Sequence, residues 1–216
     1  MTHTVHPYSF RIGILRNWRS RWFNSKKYKT FLKEDVLIRE ALTKKLRGMY
    51  IDSIEFERTQ DILQLIIKTS RPGLVIGRKG EGVEGIKREV FKILKKHKMD
   101  APRELKLTIE EIKRPETKAA IVAQIIAENL EKKLPFKRVM KQAMDKVMAN
   151  KEVKGVKVAL SGRLGGAEMS RSEWLSKGRM PLQTLKADID FIRERAHLSY
   201  GDIGIKVWIY KEESNV

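Results

Sequence analysis

Apolar residues recur three and four apart from about residue 34. Val36, Leu37, Ala41, Leu42 and Leu46 predict a helix of roughly 34–48 that Gly48 ends. The period then drops to two. In IDSIEFER, Ile54 and Phe56 alternate with charge, while DILQLIIKTS is more continuously apolar, so two strands are expected, the second more deeply buried. The short TQD link between them predicts a hairpin. PGLVIG reads as a brief helical turn opened by Pro72. A glycine loop follows, and Val83, Ile86, Val90, Ile93 and Leu94 predict a helix from about Gly82 to Lys98. RELKLTIEEI alternates Leu105, Leu107 and Ile109 and reads as a strand.

Beyond Pro115, TKAAIVAQIIAENLEKK predicts a helix buried on more than one side. Pro135 opens a second, FKRVMKQAMDKVM, whose core stripe runs through Phe136, Val139, Met140, Met144 and Val147. The methionines at that spacing read as core filler. Strands dominate the rest: VKVALSG, LQTLKADIDF and IGIKVWIY, with a fourth between about Glu168 and Ser176. In LQTLKADIDF, Leu185, Ala187, Ile189 and Phe191 would share one face, with Thr184, Lys186, Asp188 and Asp190 on the other. The expected fold class is α+β. An αββααβ domain precedes a two-layer domain of two helices packed on a mostly antiparallel sheet of three to four strands. The expected divisions are a basic aromatic arm (1–33), a first domain (34–113), a second (114–212) and a short tail (213–216).

Composition narrows the partner. Across 216 residues, 46 lysines and arginines oppose 27 acids, a net +19 far beyond what solubility needs. Such an excess favours a polyanion, because neutralised phosphates release counterions. No apolar run approaches the ~18 residues that would span a bilayer, which favours nucleic acid over membrane. There are no cysteines, which excludes disulfides and thiolate zinc sites. His3, His6, His97 and His197 lack ligand spacing, so no metal is expected. The start carries no apolar leader, pointing to the cytoplasm or an organelle interior. With no His–acid pair and no carboxylate cluster evident, a nuclease or lyase is disfavoured; no enzyme activity, cofactor or small-molecule substrate is expected.

Residues 11–29 hold seven basic side chains and no acid, interleaved with Trp18, Trp22, Phe23 and Tyr28. Either the aromatics pack the arm onto a neighbouring domain, or Arg11, Arg16, Arg19, Arg21, Lys26 and Lys27 contact RNA. The loop RPGLVIGRKGEG admits three readings. Gly80, Gly82 and Gly85 spell GxGxxG, with Asp100 beyond, but a proline turn intervenes between strand and loop, which a dinucleotide site does not tolerate. A plain turn is the second. The third is a KH-type loop, Gly77-Arg78-Lys79-Gly80, whose bare backbone and basic side chains suit a sugar-phosphate chain. Leu74, Val75 and Ile76 would wall a groove for unstacked bases. The surrounding order of elements favours it.

Beyond these local readings, HPYSFRIGILRNWRSRWF, SGRLGGAEMSRSEWLSKGRMPLQTLKADIDF and YGDIGIKVWIYK resemble the bacterial-type small-subunit ribosomal protein S-three family over nearly the whole chain. The resemblance implies a type II KH domain and a C-terminal domain in the head of the small subunit. It implies contact with small-subunit ribosomal RNA, with head proteins ten and fourteen, and with messenger RNA at the entry channel through Lys137, Arg138 and Lys141. The helical wheel turns those three outward, as it would for a merely solvated basic face. Lys137 stands where the family often has arginine, a point charge in place of a planar fork, and Gln142 where it is often basic. A free-standing KH regulator is the alternative. SGRLGG reads as a turn from which Arg163 could reach RNA, Trp174 as a packing anchor, and Asp188 and Asp190 as the polar face of a strand and not a metal pair.

Overall fold

The computed structural model describes residues 5–59, 62–97 and 102–211. The expected tail at 213–216, His3, Asp100 and part of the TQD link lie outside the described residues. The chain forms two compact units: Trp18–Lys113, and a second assembled from Met1–Asn17 together with Arg114–Val216. Residues of the arm read over 1–33 are thus divided between them.

The Trp18–Lys113 unit runs β1 (Ser20–Arg21), α1 (Tyr28–Lys45), β2 (Ile51–Arg58), β3 (Ile62–Thr69), α2 (Pro72–Ile76), α3 (Glu81–Lys96) and β4 (Glu104–Glu111). From α1 onward this is the αββααβ order. Its sheet is β1-β2-β3-β4, with β2 and β3 antiparallel as the hairpin requires and β4 parallel to β3. Phe56, Leu65 and Ile67 of the sheet pack with Leu42 of α1 and with Ile86 and Val90 of α3. The two-residue β1, parallel to β2, was not foreseen.

Helix α1 begins at Tyr28, six residues before the expected start near Glu34. Lys33-Glu34-Asp35 looks like the acidic first turn of a helix. Instead Glu34 and Asp35 are buried within it, paired with Arg58 at 2.5 and 2.6 Å, and Asp35 also accepts the Trp22 indole N–H at 2.8 Å. The real first turn follows Asn24, whose Oδ1 accepts the Lys26 and Lys27 amides, and is fixed by Phe31 standing edge-on to Trp22.

The second unit carries α4 (Ala119–Glu131), α5 (Phe136–Met148), β5 (Val153–Gly162), β6 (Arg171–Gly178), β7 (Ile189–Leu198) and β8 (Gly201–Lys211). Its sheet, β6-β5-β8-β7, is antiparallel throughout. Helix α4 lies over β7 and β8, and α5 over β5 and β6. Ala123, Ile126, Val139 and Met140 meet Val158 and Val207 in the core between.

The strand expected over LQTLKADIDF is misplaced: β7 starts only at Ile189 and continues to Leu198. The backbone of 182–187 is satisfied differently. Arg11, fully buried, donates from Nε to the Ala187 carbonyl at 2.7 Å and from Nη2 to those of Leu182 and Thr184 at 3.0 and 2.9 Å. Its Nη1 reaches the Pro7 carbonyl at 3.0 Å. Asp188 pairs with Arg16 at 2.5 Å, and Asp190 accepts the first amide of α4, Ala119 N–H, at 2.9 Å, capping that helix.

Candidate nucleic-acid interface

The glycine loop is a tight joint between α2 and α3. Gly77 sits at φ +71°, Lys79 is left-handed at φ +53°, and Gly80 at φ +83° caps α3. The helices come close enough that a Cβ on Gly82 would lie 2.2 Å from the Val75 carbonyl oxygen. This approach needs glycine and turns Arg78 and Lys79 outward, both exposed, with half-exposed Leu74 and Ile76 alongside. Glu81 and Glu84 occupy the first turn of α3 and offset its positive end, so anion attraction here rests on Arg78, Lys79 and the bare backbone.

Helix α5 is built the opposite way. Its first turn has no acid, and Lys137, Arg138 and Lys141 all project from its exposed side while Val139, Met140 and Met144 are buried. Cations at a helix N-terminus oppose the macrodipole by ~0.3–1 kcal/mol each. Their charge adds to that of the helix end and makes a concentrated anion-seeking surface. Arg171 of β6, stacked over Phe136 at 5.6 Å and paired with Glu173 at 3.0 Å, borders it.

The other basic residues singled out in the sequence fare differently. Arg11, read as a possible RNA contact, is instead buried inside the fold with its guanidinium occupied by backbone carbonyls. Arg16 is tied to Asp188, and Arg21 to Glu57 at 2.6 Å and Glu55 at 2.9 Å. Arg19 is half-buried; Lys26 and Lys27 are exposed. Arg163 donates to the Ala167 carbonyl at 2.8 Å and the Tyr200 carbonyl at 3.2 Å, so it holds its own turn together. The arm mixes both readings: Trp22 packs, while Phe23 is 94% exposed.

Two side chains depart from expectation. Trp174 is no packing anchor; it is 61% exposed on β6. A His–acid pair does exist, His197 Nδ1 to Asp202 Oδ1 at 2.6 Å, because the β7–β8 ladder sets these two opposite one another. Spacing alone does not reveal that register. Among the described residues, no three His, Asp or Glu side chains gather as a metal site would need, and no helix is long and apolar enough to cross a membrane.

Electrostatics inside the first sheet are balanced locally. Burial works to raise the Glu55 pKa, but Lys68 at 2.8 Å and Arg21 at 2.9 Å outweigh it and hold the carboxyl below its ordinary range. In the second unit, burial and then the neighbouring Lys118 push the Lys211 ammonium down.

Comparison with known proteins extends these geometries. Residues 37–117 match the KH domain family, and residues 126–209 match the family described as ribosomal protein S3, C-terminal domain. A small ribosomal subunit protein uS3 of Caldicellulosiruptor saccharolyticus is 47% identical over 98% of this chain and 92% of its own. The chain belongs to the uS3 family. The uS3 of Maridesulfovibrio salexigens is 46% identical over 99% of this chain and 96% of its own. A uS3c from Pyropia yezoensis is 42% identical over 99% of this chain and 90% of its own. The αββααβ order therefore belongs to the KH domain of a uS3 chain, and the α4/α5 layer on its four-stranded sheet to the uS3 C-terminal domain.

Proposed function

We propose that this uS3-family chain is a structural constituent of the head of the small ribosomal subunit. It binds small-subunit ribosomal RNA, neighbours head proteins ten and fourteen, and contacts messenger RNA at the entry channel. The near full-length similarity to uS3 relatives supports the ribosomal role, in the cytoplasm or an organelle. The observation that carries the message contact is the exposed, acid-free first turn of α5, with Lys137, Arg138 and Lys141 on one side.

The mechanism needs no covalent step. Fixed cations on a rigid helix hold the phosphates of single-stranded message, and strands so held re-pair less readily. Arg138 supplies a planar fork, whereas Lys137 and Lys141 act as point charges. In the first unit, the GxxG backbone with Arg78 and Lys79 offers a second phosphate contact, next to the apolar Leu74 and Ile76.

Two measurements test this. In sucrose gradients at modest salt, the chain travels with small subunits; sedimentation at the top as free protein would instead make it a free-standing regulator. Ribosomes carrying Lys137→Ala, Arg138→Ala and Lys141→Ala together assemble normally and slow on structured messages. Equal rates on structured and unstructured messages would remove the channel role.

A further inference from the structure

The sheet of the second unit has two faces, and the helices cover one. On the other, the ladder fixes which residues stand side by side. Lys157 of β5 is opposite Trp208 of β8, which is opposite Phe191 of β7. One step along, Trp174 of β6 is opposite Ala159, which is opposite Lys206, which is opposite Arg193. Residues 180–189 close the Tyr210 end, packing Met180, Ala187 and Ile189 against Tyr210 and Trp208, and His6 stands edge-on to Phe191 at 4.8 Å. The Trp174 row is left open.

Three observations there point the same way. The Trp174 indole is 61% exposed, with the Lys157 ammonium over its ring at 4.8 Å from the centroid. Arg193, whose guanidinium lies 5.6 Å over the Phe191 ring, and Lys206, both exposed, are directly opposite like charges in neighbouring strands, an arrangement that destabilises a sheet and that an anion would relieve. Between the Trp174 ring and Lys206 the floor is Ala159, with Ser161 and Gly204 in the next row, so no bulky side chain stands directly between them. The spread from β6 to β7 is three strand spacings, about 14 Å. The carboxylate these four strands bring to the face is Asp202, at the far end and held by His197.

We propose that this open face of the C-terminal sheet is a binding platform for single-stranded RNA. A base stacks on Trp174, and the adjoining phosphates lie over Arg193 and Lys206. The opposed cations favour a polyanion, and the flat, small-residue floor beside an exposed indole suits an unpaired base better than the pockets a protein side chain would need. This deepens the RNA-binding reading above and rests on it, while using neither the glycine loop nor α5.

The test uses the full-length chain, a short fluorescent oligouridylate, the same length of RNA as a duplex, and an oligoglutamate peptide. Trp174→Ala should weaken oligouridylate binding about tenfold, the usual size of one lost base stack. Duplex binding should stay unchanged, and Trp174→Phe should restore most of the loss. Arg193→Ala with Lys206→Ala should weaken binding and flatten its salt dependence. Ultraviolet crosslinking of the unaltered protein should place RNA on the peptide containing Trp174, which decides the matter even if a variant folds poorly. Crosslinks confined to the GxxG loop and α5, with Trp174→Ala binding as the parent does, would overturn the platform while leaving RNA binding by the chain intact. Loss of oligoglutamate binding in Trp174→Ala with RNA binding unaffected would also overturn it, making the face a protein surface.

Discussion

Arg11→Met is the sharpest probe of the second unit. The native guanidinium is fully excluded from solvent and donates to the carbonyls of Pro7, Leu182, Thr184 and Ala187. A hydrogen bond from a charged donor contributes ~1.5–3 kcal/mol, and a carbonyl left unpaired inside the fold costs a similar amount. The carbonyls of Leu182 and Thr184 bond in partly buried surroundings and regain water, so the loss falls mainly on those of Pro7 and Ala187. Methionine keeps much of the aliphatic bulk and removes the burden of a buried charge. The balance is a loss of about 3 kcal/mol, or about 12 °C in melting temperature for a unit of this size. Calorimetry measures the shift. Hydrogen exchange localises it, with amides of 7–16 and 182–189 losing protection while those of β2 and β3 keep theirs. A variant that melts with the parent yet binds RNA less well would refute this reasoning and return Arg11 to the role of a surface ligand.

Other outcomes are equally checkable. Because Glu55 is held below its ordinary value of 4.5, its stabilisation is present above about that pH and is lost as pH falls through the lower folded value. Glu55→Gln should therefore lose about 1 kcal/mol at pH 7, with the gap to the parent narrowing as the pH falls below 4.5 in urea titrations. Gly82→Ala places a methyl against the Val75 and Ile76 carbonyl oxygens and forces α2 from α3. It should cost ~1–3 kcal/mol and reduce RNA binding by the loop although Arg78 and Lys79 remain, as thermal melts and fluorescence anisotropy would report.

The element order was readable because each element carries its own period. FKRVMKQAMDKVM shows an uninterrupted stripe, and its limits, Phe136–Met148, are those the stripe implies. The failures share a cause in distant partners. The alternation in LQTLKADIDF is real, but Arg11, 176 residues before Ala187, takes the carbonyls that a ladder would have used. Past Phe191, the strand stayed hidden because Arg193, Arg195 and His197 face away from the helices and Glu194 interrupts the apolar side. Glu34 and Asp35 advertise a helix start only until Arg58 is known to lie beside them. At the candidate interface, charge and glycine spacing found the GxxG loop and α5. They did not separate Arg11 and Arg163, consumed by backbone carbonyls, from cations that remain outside. Cross-strand register, which alone places Lys206 against Arg193, leaves no trace in a linear reading.

Assembling one unit from the two ends of the chain sets a timetable on the ribosome that makes it. At ~5–20 residues per second, Arg11 leaves the exit tunnel roughly 9–35 s before its acceptor at Ala187. For the later part of that wait, once Lys113 has emerged, the segment Trp18–Lys113 has everything it needs to fold, whereas the leading residues do not. The nascent protein thus passes through a state with a finished KH domain and a loose, cationic leader, the stage at which a chaperone or an RNA would find it most open to capture.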